Sequence, residues 1–422
     1  MTALSLMGWL VCLGWSPQFD FYAAAGARSE GRVSRLAIYA EPLIDLELGP
    51  SLVVDLASTA LFLELSYLPV LVFHLRQPEE LSHQKLDVNH QGLVSLSGRV
   101  ARLRYTLSQS IRYGEVVLAS FAMVQIGGER QIQRLNNGGR LTMLDYRTSA
   151  GVDYALTRRA MVGLSAIYQK SGGADQASLA TMPLENAVSG NGLFAYRLTR
   201  EDRLTTLFGV FTSTFSNDAS NLGVFVDENW EHRFTPEVSA QLGGGAAFVR
   251  SRGPTATVAE GQPAAEGQPA ADGALFPRAS GSVESRFPLA GRQSAEARVQ
   301  LRVEPSVDRG LGLTDGRFDA SMNLGWNFGT RVSVGASGMV ARSLGMTDAP
   351  AYRAFFTEGR CTVRWSASIQ NEVGFRAVWQ RYELATPQPG FDNTPEWVAF
   401  LSLTGTFGLG GTRPAPPGGE FP

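Results

Sequence analysis

The chain has 422 residues, enough for two ordinary domains or one large barrel, with 44% hydrophobic and 18% charged residues and 46 glycines. A net charge of -2 with no basic patch or stripe argues against a nucleic-acid partner. Two cysteines, Cys12 and Cys361, form neither a disulfide framework nor a CxxC metal site, and no apolar run reaches the roughly 18 residues of a helical membrane span.

Ala3 to Trp15 is an apolar run of signal-peptide length, and Ala23-Ala24-Ala25 and Ala25-Gly26-Ala27 fit a small-x-small cleavage site. Residues 1–27 are therefore read as a leader, although no Lys or Arg precedes Arg28; the alternative is a buried apolar segment of the mature fold.

Strand signals then follow one another without a helix. Leu36 to Leu48 is the first, broken by Gly49 and Pro50, and Ser51 to Leu56 and Ala60 to Leu75 come next. A polar loop is expected at 76–90. Gln91 to Leu96 and Ala101 to Tyr113 pair across Ser97–Val100, and a long connection covers 114–140. Leu141 to Tyr168 shows the pattern most plainly. Leu144, Tyr146, Ala150, Val152, Tyr154 and Leu156 alternate with Asp145, Arg147, Ser149, Gly151 and Asp153. Thr157–Arg159 turns the chain into a second alternating strand. Period-2 alternation of this kind gives a strand one apolar and one polar face.

After a loop at 171–189, further hairpins follow: 193–198 with 203–215, 222–233 with 238–250, 277–287 with 294–304, 318–328 with 331–342, 352–366 with 371–383, and finally 397–407. Short turns alternate with long loops, which predicts a transmembrane antiparallel up-and-down all-β barrel of about eighteen strands, sixteen being the alternative. The barrel is expected over 28–407. Within it, 251–276, with its tandem AEGQPA repeat at 259–264 and 265–270, reads as a mobile external loop, and 408–422 as a disordered tail.

A soluble sandwich alternates too, but it would need far fewer strands. Many strands here approach the ~9–11 residues of a tilted membrane strand. Aromatics such as Tyr105, Tyr113, Trp326, Trp365, Trp397 and Phe407 sit near strand ends, as interfacial girdles require. A spanning sheet must also close, because each unpaired backbone group in hydrocarbon costs several kcal/mol. Sixteen to eighteen strands leave a watery interior unless something fills it, and 114–140 is the internal candidate for a plug.

The inward face is expected to carry Arg102, Arg104, Arg112, Asp145, Arg147, Asp153, Asp227, Glu231, Arg233, Arg278, Glu284, Arg286, Glu296, Arg298, Arg302, Asp319 and Arg364. Both signs are interspersed. One reading is that they cross-pair and solvate the wall; the other is a polar track for a large hydrophilic solute such as a polysaccharide. Catalysis is not expected. None of His74, His83, His90 and His232 accompanies a nucleophile-elbow serine or forms an HExxH site, so no catalytic residue, metal or cofactor is assigned.

The hairpin pattern resembles bacterial outer-membrane porin-type barrels over nearly the whole mature chain. More narrowly, Leu65-Ser66-Tyr67-Leu68-Pro69, with Tyr105, Ser108-Gln109-Ser110 and Tyr113-Gly114-Glu115, resembles the eighteen-stranded outer-membrane barrels associated with myxobacterial exopolysaccharide export. The resemblance implies a polysaccharide export channel with no catalytic residues. The partners it implies are outer-membrane lipids, a periplasmic polysaccharide export protein and the barrel-assembly machinery. The chain departs from the usual barrel terminus, since fifteen residues follow Phe407. A general diffusion porin and a structural or adhesive surface barrel without an open pore stand as alternatives.

Overall fold

In a computed structural model the described residues are 20–410, apart from 36–40, 59, 80–84, 119–120, 127–128, 135–138, 254–272, 290–292, 308–313, 347–350 and 384–395. Eighteen antiparallel strands close on themselves, and the circuit is completed by pairing of β1 (Asp20–Arg35) with the last strand, β20 (Glu396–Gly410). In chain order the wall continues with β2 (Leu43–Ala57), β3 (Leu61–Arg76), β4 (Leu86–Val100) and β5 (Leu103–Leu118). Among the described residues β6 (Phe121–Ile126) and β7 (Glu129–Arg134) form a separate two-stranded sheet. The wall resumes with β8 (Gly139–Ala155), β9 (Ala160–Gly173), β10 (Glu185–Arg197), β11 (Asp202–Phe215), β12 (Ser220–Arg233) and β13 (Val238–Arg252). It is completed by β14 (Gly273–Pro288), β15 (Ser294–Val307), β16 (Thr314–Phe328), β17 (Val332–Ser343), β18 (Ala351–Arg364) and β19 (Ile369–Glu383). Among the described residues, one short helix, α1 (Gln176–Thr181), lies between β9 and β10.

The eighteen-stranded barrel is the expected one, but its start is corrected. The first strand is not 36–48. β1 occupies 20–35, and β2 runs through Gly49 and Pro50. The proline is tolerated because the β2–β3 ladder has no partners at 49–51, so its missing N–H costs least there. β1 escapes a pattern reading because its outward residues Ala23, Ala25, Ala27, Ser29 and Gly31 are small. It also uses 20–27, which the sequence reading gave to the leader; the rest of that leader, 1–19, lies outside the described residues. The first inter-strand turn of the β4–β5 hairpin falls at Ala101–Arg102, not Ser97–Val100. β20 runs to Gly410, and 411–422 and the 259–270 repeat lie outside the described residues.

One end of the barrel has connections of five residues or fewer throughout. Several are built alike. The hydroxyl of Thr157 accepts the backbone N–H of Arg159 and Ala160, and Thr199, Thr235 and Ser366 do the same two and three residues on. This Ser/Thr turn takes up orphan donors at the strand ends. In outer-membrane barrels the short-turn end faces the periplasm. The other end carries the longer connections, with one exception, the four-residue link 216–219.

The two faces separate by residue parity. On β12, Leu222, Val224 and Val226 are half exposed, whereas Asn221 and Asp227, which flank them at odd-numbered positions, are buried. The outward set recurs around the circuit as Leu164, Phe208, Leu242, Val299 and Leu401. Exposed apolar side chains in that number suit hydrocarbon, not water. Near the short-turn rim the outward ring includes Trp326 stacked on Phe328 at 5.7 Å and His232 edge-on to Phe234 at 4.5 Å. Trp379 and Trp397 lie toward the opposite rim, giving two aromatic girdles.

Candidate functional site on the inner wall

Strand register decides which inward side chains meet, because directly opposite residues share a face. Arg104 faces Asp153 and Arg112 faces Asp145 across β5–β8, with Arg147 between Ser110 and Gln169. Glu231 faces Arg203, and Arg233 faces Ser239. Glu284 faces Arg298, Arg286 faces Glu296 at 3.7 Å, Arg302 faces Asp319, and Arg364 faces Gln370. Arg102 is placed apart from the others. It lies in the Ala101–Arg102 turn and donates to the Leu156 carbonyl at 3.3 Å.

Asp227 and Arg278 meet across an intervening strand. Arg278 Nε donates to Asp227 Oδ1 at 2.9 Å, and its guanidinium also lies 4.4 Å from the centre of the Phe225 ring. Both residues face Gly245 of β13. A Cβ there would come within 2.3 Å of Asp227 Oδ1, so only glycine leaves the passage open.

Sequence reasoning missed a second network near the long-loop end. His74 is 2% exposed, and each ring nitrogen lies 2.7 Å from a carboxylate, Nδ1 from Asp45 and Nε2 from Asp87. The ring of β3 thus bridges the carboxylates of β2 and β4. Arg140 joins Asp87 to Glu115. On the neighbouring strands Arg32 bridges Glu30 at 2.9 Å and Glu47 at 2.8 Å, and Arg28 also pairs with Glu30. The signal for the β1 part was present, since Arg28, Glu30 and Arg32 alternate at period 2. Asp87 and Arg140 were hidden because they fall in segments read as loops, 76–90 and 114–140.

The mouth is partly crossed. The β14–β15 ladder stops at Ala279 and Val303, while β15–β16 pairing continues to Val307 and Thr314. The free upper ends of β15 and β16 lean inward. Thr314 Oγ1 donates to Asn221 of β12 at 3.1 Å and lies 2.7 Å from Ser251 Oγ of β13. Arg317 ties the same segment together through Asp319 at 2.6 Å and Glu304 at 3.3 Å. Asp315 accepts from the backbone N–H of Gly345 and Met346. The paired ends of β15 and β16, 304–307 and 314–317, thus narrow the mouth; 114–140 supplies the separate β6–β7 sheet.

The described histidines are engaged by carboxylates or tyrosine. Tyr67 Oη lies 2.8 Å from His90 Nδ1, and His232 Nδ1 lies 2.8 Å from Asp202. Among the described residues no group of three or more His, Cys, Asp or Glu is arranged to hold a metal ion. His83 lies outside them.

A closed eighteen-stranded barrel with an apolar outside, aromatic rims and a charged interior is a channel-type protein of the bacterial outer membrane. Residues 22–404 match the EpsX exopolysaccharide export family, and the chain belongs to that family. No curated protein matches it. Among solved structures it is similar to OpdK of Pseudomonas aeruginosa with vanillate, with 10% identity and a TM-score of 0.46 over 92% of this chain and 99% of the other. It is also similar to OccAB3 of Acinetobacter baumannii, with 9% identity and a TM-score of 0.46 over 92% and 100%. The FrpB iron transporter of Neisseria meningitidis gives 10% identity and a TM-score of 0.48 over 95% and 68%.

Proposed function

We propose that this chain is the outer-membrane exit channel for an exopolysaccharide. The observation that supports it most is the closed eighteen-stranded barrel with many charged and polar side chains on its inner wall, in a chain of the exopolysaccharide export family. Barrels of this strand number enclose water and not a packed core, so a hydrated chain can thread them. The inward Arg, Asp, Glu and Asn side chains offer donors and acceptors to hydroxyls along the route. The protein acts without chemistry of its own. A periplasmic polysaccharide export protein delivers the chain, and the barrel-assembly machinery inserts the barrel among outer-membrane lipids. A clean deletion should abolish surface polysaccharide while leaving it in the periplasm. Unchanged surface polysaccharide in the deletion strain would sink the reading.

A second reading, a diffusion porin for small hydrophilic solutes, draws on the inward ends of β15 and β16, since porins commonly narrow their lumen with an inward segment. It predicts uptake of small solutes that falls in the deletion strain while surface polysaccharide stays normal.

A further inference from the structure

The inner wall of β11 to β18 holds two adjoining hollows of about 570 and 370 Å³ that share Arg298. We propose that together they form a binding groove for an uncharged, hydroxyl-rich glycan chain, entered from the periplasmic end. The inference rests on the channel reading above and deepens it by naming the substrate class.

Register builds the groove row by row. One row crosses six strands as Glu284, Arg298, Asn323, Ser337, Glu358 and Arg376. It alternates carboxylate, guanidinium, amide, hydroxyl, carboxylate and guanidinium. The next row toward the periplasm reads Glu296, Gly325, Gly335 and Arg360. Two glycines side by side keep this stretch of wall low, and the side chains of Glu296 and Arg360 lean over Gly325 and Gly335 from either side. A sugar ring lying against this row meets an acceptor, Glu296, and a donor, Arg360, side by side.

Charge selects the class. The four guanidiniums of the two hollows are Arg278, Arg298, Arg302 and Arg360. Against them stand five carboxylates, Asp227, Glu284, Glu296, Glu304 and Glu358. A polyanion would meet the carboxylates and a polycation the arginines, in a site walled by protein where such contacts are weakly screened. Hydroxyls are indifferent to this, because each both donates and accepts. Gln241, Gln300 and Asn323 line the same hollows and have the same double capacity. Among the described residues nothing hydrogen-bonds or ion-pairs with the side chains of Arg298, Arg360, Glu284 or Asn323, so these side chains face lumen water and are open to a ligand. At its upper end the groove reaches Glu304, where the ends of β15 and β16 narrow the mouth.

The test uses the full chain reconstituted in planar bilayers, with three probe sets added at the short-turn end. These are neutral hexasaccharides (maltohexaose, cellohexaose and the N-acetylglucosamine hexamer), hexagalacturonate, and the glucosamine hexamer. At least one neutral probe should interrupt the current, with dwell times at least tenfold longer than either charged probe. Arg298→Gln and Gly335→Trp, each checked for heat-modifiable gel mobility, should shorten those dwells at least tenfold. Calorimetry on detergent-solubilised protein separates the two readings. Neutral glycan binding without current keeps the groove and sinks the channel. Current without neutral glycan dwell, longer dwell of a charged probe, or unchanged dwell in both variants overturns the groove.

Discussion

Arg278 of β14 and Asp227 of β12 form an ion pair 2.9 Å long although β13 lies between their strands. The pair exists because Gly245 has no side chain where the two cross. Gly245→Leu places a Cβ 2.1 Å from the Val226 carbonyl and closes the passage. Asp227 then loses its cation while remaining largely buried. Arg278→Ala should cost about 1–3 kcal/mol for the unsatisfied carboxylate, less whatever lumen water recovers. Gly245→Leu should cost more, since backbone must move as well. Urea unfolding of lipid-refolded protein measures both, and a Gly245→Leu variant as stable as wild type would show that the crossing is not required.

Much of the fold was legible because the period-2 signal survives wherever outward residues are large. Leu141 to Tyr168 gave both ends of β8 to within two residues and the start of β9, although β9 runs on to Gly173. What was not legible had particular causes. β1 has alanine and glycine on its outward face and overlaps a plausible cleavage site. The His74 network joins β2, β3, β4, β5 and β8, and cross-strand neighbours are invisible until register is known. The inward lean of the ends of β15 and β16 depends on where the β14–β15 ladder ends, which no alternation records.

Those inward ends can be trapped. Along the wall, β12 and β16 are four spacings, or roughly 19 Å, apart. A disulfide needs Cα atoms within about 7 Å. Asn221→Cys with Thr314→Cys, in a chain lacking Cys12 and Cys361, should therefore cross-link on oxidation, because the native side chains touch at 3.1 Å. The cross-linked species should migrate differently without reductant. If no bond forms, the segment stands in the wall and the mouth is wider than described.

The link between β9 and β10 has an acid-sensitive cap. Asp175 caps α1, accepting from the backbone N–H of Ser178 at 2.8 Å and from its hydroxyl at 3.0 Å. Hydrogen bonding from Thr142 and then from Ser178 holds the Asp175 carboxyl below the usual carboxylate range. A depressed folded value gives stabilisation that is present above the ordinary range of about 4 and is lost as pH falls through the folded value. Pepsin should cut 174–184 increasingly as pH drops below about 4, and Asp175→Asn should flatten that dependence. Matching pH profiles for the two proteins would remove Asp175 from the account.

The last prediction separates the two faces at adjacent residues of β15. Val299 is 42% exposed and lies opposite Val283 and Met322 on the outward side. Arg298 lies opposite Glu284 and Asn323 on the inward side. Because side chains alternate strictly, a slip of one residue would exchange both assignments together. An arginine on the lipid face near the midplane costs roughly 2–4 kcal/mol. Val299→Arg should therefore reduce the heat-modifiable, assembled form. Arg298→Ala removes a side chain that no described residue holds, so assembly should survive while passage of charged solutes changes. Cysteines report the faces directly. Arg298→Cys should react with a small water-soluble thiol reagent in intact outer membranes, and Val299→Cys should not. Reaction at Val299→Cys alone, together with normal assembly of Val299→Arg, would turn the barrel wall inside out at this strand and take Arg298 out of the lumen.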